Sequence, residues 1–283
     1  MIKFLVDSAS DYDRKEIEEK NMEYISIAVT IDDKTYHDGK DITKNEFFQM
    51  VEKAENFPKT AQPSPQEYVD VFEKAKKNGD EIIAVTLASA LSGTYQSANL
   101  AKSIVGYEKI YIIDSCAATY NIKFMVEYGI KLREQGKNAE EIVSAIEKMK
   151  GNVTLYAVLD TLDNLYKGGR LSKLEAGIGS MARIKPLITL TSEGKVGVKA
   201  KSIGRKKALN DIMKLIEEDI IDHDFPVYCI YSYGMKNCDM FMERAKECGI
   251  KFDEILQIGP TIGTHIGPEA YGIIYVKKDR KSE

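Results

Sequence analysis

Glu81-Ile82-Ile83-Ala84-Val85-Thr86-Leu87, followed by Ala88-Ser89-Ala90-Leu91-Ser92-Gly93-Thr94-Tyr95, decides the fold. Ile82–Leu87 is a nearly unbroken apolar run of strand length, as expected of a strand covered on both faces. It ends on small and hydroxylic residues and passes into a helical pattern, Thr94–Val105. Lys3–Asp7 and Lys109–Asp114 repeat the strand signal. Asp11–Lys20, Thr43–Ala54, Pro65–Asn78, Asn121–Gln135 and Ala139–Met149 repeat the helical one. Such alternation predicts an α/β domain with a parallel sheet and helices on both faces. Tyr24–Thr30, Asp32-Asp33 and Lys34–Tyr36 read as a hairpin inserted near residues 24–36.

The second half has another rhythm. Leu155–Leu159 reads as a strand, and Pro186–Thr191, Ser192-Glu193-Gly194 and Lys195–Lys201 as a hairpin. Helical patterns follow at Gly204–Glu218 and Asn237–Cys248, with strands at Val227–Tyr231, Asp253–Ile258 and Tyr271–Val276. Hairpins with a few helices predict an α+β domain. The boundary falls near Gly151-Asn152, giving an α/β (Rossmann-like) domain over 1–151 and an α+β domain over 152–283. A cleft between two such domains is the expected ligand site.

Composition narrows the function. The 283 residues carry 40 basic and 44 acidic side chains, so no net charge draws the chain to nucleic acid. No run approaches the ~18 apolar residues of a membrane span. Met1 leads straight into a strand pattern rather than a secretory signal. The cysteines, Cys116, Cys229, Cys238 and Cys248, have neither zinc-ligand spacing nor a disulfide framework. The expected class is a soluble, cytoplasmic protein without a metal.

Ligands of open parallel sheets bind beyond the carboxyl ends of the strands. Three such ends carry acidic or hydroxyl residues: Asp7-Ser8, Ser89 through Thr94, and Asp114-Ser115. At the middle one, Ser92 stands beside free helix N–H groups. It is either an anion seat or an N-cap. In Thr60-Ala61-Gln62-Pro63-Ser64-Pro65-Gln66-Glu67, Ser64 fits the N-cap of a capping box, with Pro65 at the first helical position and Glu67 at the third. Thr60 lies outside that box, free to face a ligand. Gly259-Pro260-Thr261-Ile262-Gly263-Thr264-His265-Ile266-Gly267-Pro268 reads as a long loop between strands. Its His265 either faces a ligand or satisfies a backbone carbonyl. Lys167-Gly168-Gly169-Arg170 is either an anion cradle or a turn with solvated charges. Neither a nucleotide-binding glycine motif nor a G-x-S-x-G elbow is present.

Together these motifs resemble the DegV family of bacterial fatty-acid-binding proteins. The resemblance runs in order through Asp7-Ser8-Ala9-Ser10-Asp11, Thr60-Ala61-Gln62-Pro63-Ser64-Pro65, Leu91-Ser92-Gly93-Thr94-Tyr95, Lys167 to Ser172, and Gly263-Thr264-His265-Ile266-Gly267-Pro268. Ala61 stands where the family commonly has serine, and Glu269 where it commonly has glycine. The resemblance implies a non-catalytic carrier with one long-chain fatty acid as its ligand and no other cofactor. Its ligand contacts would be Thr60, Ser92, Gly93, Thr94, Thr264 and His265. It also implies that the acid is presented to a separate ATP-dependent fatty acid kinase for acyl phosphate formation and phospholipid synthesis. Arg205 and Lys201, in a basic hairpin-to-helix segment, become docking candidates for that kinase and, transiently, for a membrane surface. Two other readings stand beside it: a small hydrolase or acyltransferase using Ser92 and His265, and a lipid-sensing regulatory protein.

Overall fold

The computed structural model describes residues 1–176 and 183–278. The chain divides into two compact units. The first comprises residues 1–43, 54–151 and the tip 192–195. The second comprises 44–53, 152–191 and 196–283.

The first unit is built on a parallel sheet of β1 (Ile2–Asp7), β2 (Glu23–Ile25), β6 (Glu81–Thr86) and β7 (Ile110–Asp114), in the order β2-β1-β6-β7. Apolar residues on both faces of these strands call for cover on both sides. One face is covered by α3 (Pro65–Asn78) and α4 (Thr94–Val105), which pack Tyr68, Phe72, Ala98 and Ala101 against Leu5, Ile82 and Ala84. On the other face lies α5 (Tyr120–Glu134), followed by α6 (Ala139–Met149). Gly129 of α5 rides so close that a Cβ there would stand 2.7 Å from the Phe4 ring. The short α1 (Arg14–Glu19) links β1 to β2. The capping box expected at Ser64 and Glu67 is present, with Pro65 opening α3 and Gly79 closing it at φ 70°.

The region near residues 24–36 differs from its reading. Glu23–Ile25 pairs in parallel with β1, so Tyr24 and Ile25 belong to the main sheet. The hairpin is β3 (Ala28–Ile31) with β4 (Lys34–His37), turning at Asp32 with φ 51°. A strand absent from the sequence reading, β5 (Lys59–Ala61), adds to β3 and carries Thr60 opposite Val29. Three residues are too few to show an alternation, so only the pairing reveals the strand.

The second unit holds a six-stranded sheet of β8 (Val153–Val158), β9 (Ile184–Leu190), β10 (Val196–Ile203), β11 (Tyr228–Tyr231), β12 (Glu254–Gln257) and β13 (Tyr271–Val276). Its order is β10-β9-β8-β13-β11-β12, antiparallel except at β11–β12. Two helices, α9 (Arg205–Glu217) and α10 (Lys236–Glu247), bury Ala208, Ile212, Phe241 and Ala245 with Tyr156, Tyr271 and Ile273 of the sheet. The same unit holds α2 (Lys44–Val51), α7 (Asp163–Lys167), α8 (Lys173–Ala176) and α11 (Pro260–Ile266). The parallel-sheet unit and the second sheet unit agree with the α/β and α+β readings of the two halves.

Gly259–Pro268 is a correction. Instead of a loop, it folds as α11, with Gly259 as N-cap and Pro260 at the first helical position. Proline there removes a donor the helix could not have used. Gly267 ends the helix at φ 74°. The internal Gly263 resists helix formation locally, but a Cβ there would stand 2.7 Å from Phe48, so close packing requires it.

Candidate functional site

In the order β2-β1-β6-β7, the chain leaves β1 toward one edge and builds β6 and β7 toward the other. The switch point lies between β1 and β6, where an open sheet of this kind offers a crevice at its carboxyl edge. Asp7 ends β1 there and is buried. One carboxylate oxygen accepts from Ala9 N at 3.0 Å, and the other from Leu87 N, just after β6, at 2.8 Å. Burial, opposed by these two bonds and reinforced by the like charge of Asp38, pushes its carboxyl up to about 7. At the end of β7, Asp114 Oδ1 accepts from Ser89 N at 3.1 Å and Cys116 N at 3.0 Å. The turn from Leu87 to Ser92 is thus held by a carboxylate on each side. A third carboxylate, Asp11 at φ 60°, accepts the Thr119 hydroxyl at 2.5 Å. Thr119, β-branched yet at φ 54° and ψ −144°, is itself held in a strained conformation.

That turn delivers the hydroxyl cluster. Gly93, not Ser92, is the N-cap of α4. Ser92 Oγ lies 2.8 Å from Thr94 Oγ1 and accepts from Thr94 N at 3.3 Å. Thr94 is buried and Ser92 half-buried, so one hydroxyl is anchored and the other is accessible. Gly93 lets the Thr60–Pro65 segment come close: a Cβ there would lie 1.8 Å from Gln62 Oε1. Gln62 Nε2 reaches on to Ser97 Oγ at 3.2 Å. Two motifs separated in sequence therefore meet through Gln62. Thr60 sits two residues before it, half-buried between the exposed Lys59 and Ala61. The assembly is hydroxyls at the start of a 12-residue helix, whose N–H groups and dipole favour an anion.

Thr264 and His265 lie on α11 of the second unit. Thr264 is buried, and its hydroxyl donates back to Pro260 O at 2.9 Å, within its own helix. His265 packs against the Lys167–Arg170 turn, where a Cβ on Gly168 would stand 2.2 Å from its Nδ1. Burial first, then the Arg170 charge, lowers the imidazole to about 4. The ring is therefore neutral near pH 7, with one nitrogen a donor and the other an acceptor. Arg170 folds back, its guanidinium donating to Gly168 O at 2.5 Å, while Gly169 turns the chain at φ 73°. Lys167–Arg170 is thus the close of α7 as well as the seat of the histidine.

The basic segment is exposed. Lys201 projects from β10, and Arg205 opens α9 with its guanidinium 3.0 Å from Glu269 Oε2. Arginine at a helix N-terminus opposes the dipole, and Glu269 offsets it. Asn237 Nδ2 also donates to Glu269 Oε2, at 2.9 Å, although Glu269 adopts φ 64°.

The sequence places Asp7-Ser8 and Asp114-Ser115 at strand ends beside the hydroxyl cluster, but gives no sign that Asp7, Asp114 and Gln62 support its turn. Among the described residues, no group of three or more histidine, cysteine or acidic side chains could hold a metal ion. Nor is any helix among them long and apolar enough to cross a membrane.

The family model described as uncharacterised proteins of the DegV family matches residues 1–278. A DegV domain-containing protein of Caldanaerobacter subterraneus subsp. tengcongensis is 33% identical over 284 residues, covering 98% of this chain and 99% of that protein. Among solved structures, a DegV family protein from Thermus thermophilus, described for its fatty acid binding, is 28% identical with a TM-score of 0.86, over 98% of this chain and 99% of its own. A stearic-acid-binding protein from Eubacterium ventriosum is 26% identical with a TM-score of 0.85, over the same shares. DegV of Bacillus subtilis, a fatty-acid-binding protein, is 28% identical with a TM-score of 0.82, again over 98% of this chain and 99% of that one.

Proposed function

We propose that this chain, which belongs to the DegV family, binds one long-chain fatty acid and does no chemistry on it. The observation that carries this reading is the hydroxyl turn Ser92-Gly93-Thr94 at the start of α4, in a fold shared along its length with fatty-acid-binding relatives. Ser92, Thr94 and Thr60 would hold the carboxylate, Gly93 would let it approach the backbone, and Thr264 and the neutral His265 are candidate ligand contacts.

The energetics suit a carrier. Burying a tail of roughly 15 methylenes at ~0.8 kcal/mol each contributes on the order of 12 kcal/mol before association costs. A hydrogen bond to the charged head adds only ~1.5–3 kcal/mol. The tail then sets affinity while the hydroxyls fix the head. Hydroxyls and helix N–H groups leave a carboxylate easier to release than a lysine or arginine clamp would. Release to a separate ATP-dependent kinase, for acyl phosphate formation and phospholipid synthesis in the cytoplasm, is part of the proposal. Lys201 and Arg205 are its docking residues, for that kinase and transiently for a membrane surface.

The test is native mass spectrometry of the purified protein, followed by solvent extraction and challenge with oleate. A mass increment of one fatty acid is expected, with no covalent labelling by a fluorophosphonate. No co-purifying acid and no oleate uptake would overturn the reading, and labelling of Ser92 would mark a hydrolase instead. The double variant Thr60→Ala with Ser92→Ala is expected to impair retention of the acid or its transfer while remaining folded. Unchanged retention and normal presentation to the kinase would remove both residues from the site.

A further inference from the structure

We infer that Asp7 is a positioning residue for the anion seat: its ionised carboxylate ties the start of the Leu87–Ser92 turn to the end of β1, and protonating it weakens capture of an anionic head group. The inference rests on the fatty acid reading for its ligand and on the geometry of the first unit for its mechanism.

The geometry is a bridge between distant parts of the chain. Asp7 Oδ2 accepts from Leu87 N, 80 residues away, at 2.8 Å, and Oδ1 accepts from Ala9 N at 3.0 Å. Leu87 opens the turn whose other end presents Ser92, Gly93 and the α4 N-terminus. Asp114 holds the next part of the same turn through Ser89 N. An ionised carboxylate only accepts, so both of its oxygens can serve backbone donors. A proton on either oxygen leaves one N–H facing a poorer acceptor and turns a charge-assisted bond into a neutral one.

The surroundings place this change in an accessible range. The groups that face Asp7 are Tyr24 on β2, Asp38 after β4 and Tyr68 on α3, and Tyr24 in turn feels the charge of Asp11 after the short turn that follows β1. Just after β6, the Leu87 N–H donates to the Asp7 carboxylate. Both phenols are pushed upward by burial first, so they stay neutral at the relevant pH. Asp38 acts on Asp7 as a like charge, adding to the burial that pushes Asp7 to about 7. Asp7 clasps two backbone donors, so a change in its charge acts on what those donors position.

The test compares wild type with Asp7→Asn, whose amide can accept only one of the two bonds at any pH. Affinity for cis-parinaric acid, a fluorescent fatty acid, is measured from pH 5.5 to 8.5. Taking the ratio of the two dissociation constants at each pH cancels the ligand's own ionisation. The variant is expected to bind on the order of tenfold more weakly above pH 8, the ratio closing toward unity below pH 6 with an inflection near 7. A ratio that does not change with pH would reduce Asp7 to a structural residue and overturn the inference, leaving the fatty acid reading intact. Failure of both proteins to bind at any pH would overturn both. A second measurement needs no variant. The Leu87 amide resonance of ligand-free wild type is expected to titrate with one inflection near pH 7, and a Leu87 resonance unmoved across the range would overturn the inference.

Discussion

Replacing Gly168 with alanine adds one methyl group against His265. Gly168 has φ −75° and ψ −8°, a conformation alanine adopts freely, so the backbone is not strained. The new Cβ would stand 2.2 Å from His265 Nδ1, 2.8 Å from Cε1 and 3.0 Å from Asn164 O. Carbon contacts are comfortable at ~3.5–4.0 Å, so the ring must retreat by roughly 1 Å or rotate. Such overpacking costs ~1–3 kcal/mol, offset by ~0.4–1 kcal/mol from the stiffer unfolded chain. A net loss of about 1–2 kcal/mol lowers Tm by a few degrees. The decisive readout is the ring itself. Burial and Arg170 hold it at about 4, so in wild type it does not titrate between pH 5 and 8. Displacement toward water should restore part of the way to the ordinary 6.5. The protein has three histidines, so their ring proton resonances are few enough to follow by NMR, with His265→Gln for assignment. A new titration within pH 5–8 is expected in Gly168→Ala. A His265 resonance that still fails to titrate, in a protein destabilised as expected, would refute the reasoning that Gly168 seats the ring.

Gly272 of β13 has backbone rather than side chain in its way: a Cβ there would meet Tyr156 O at 2.3 Å and Ala157 Cα at 2.9 Å. Gly272→Ala should force β8 and β13 apart and cost upward of ~3 kcal/mol by urea denaturation, and a cost under ~1 kcal/mol would show that the strands yield easily. For pH, Asp7 and His265 act in opposite directions. The folded Asp7 lies near 7 against an ordinary 3.8, so the folded state holds more protons between these values, and stability falls as pH rises through that window. The folded His265 lies near 4 against 6.5, so its contribution is present above 6.5 and lost as pH falls toward 4. Asp7→Asn removes the first effect, so its stability relative to wild type should rise by roughly 1 kcal/mol per pH unit between pH 5 and 7, then level off. A difference that stays constant over that range in urea titrations would contradict it.

Much of the fold was legible because its signals are local. The apolar run Ile82–Leu87 has the length and composition of a strand covered on both faces, and it is buried almost throughout. The Ser64-Pro65-Glu67 pattern wrote the start of α3 into neighbouring residues. The hydroxyl turn at Ser92 was visible for the same reason, since a strand end running straight into a helix is a contiguous feature. His265 stands out in the sequence, but in a segment whose glycines and prolines suggest a loop where the structure has a helix.

What stayed hidden depends on partners far away in sequence. Glu23–Ile25 and Lys59–Ala61 are too short to announce themselves, and each is a strand only because a longer neighbour supplies its hydrogen bonds. Gly263 argues against helix until Phe47 and Phe48 press against α11 and make a small residue necessary there. Sequence by itself determined the long strands and helices and put hydroxyl residues at the start of α4, because propensity, capping and periodicity act over a few residues. Tertiary structure alone decided that Asp7 would grip a backbone 80 residues away, that Gln62 would cross Gly93, and that His265 would be buried against Gly168 and held neutral. Each of these rests on desolvation or close contact, which exist only once distant segments have packed.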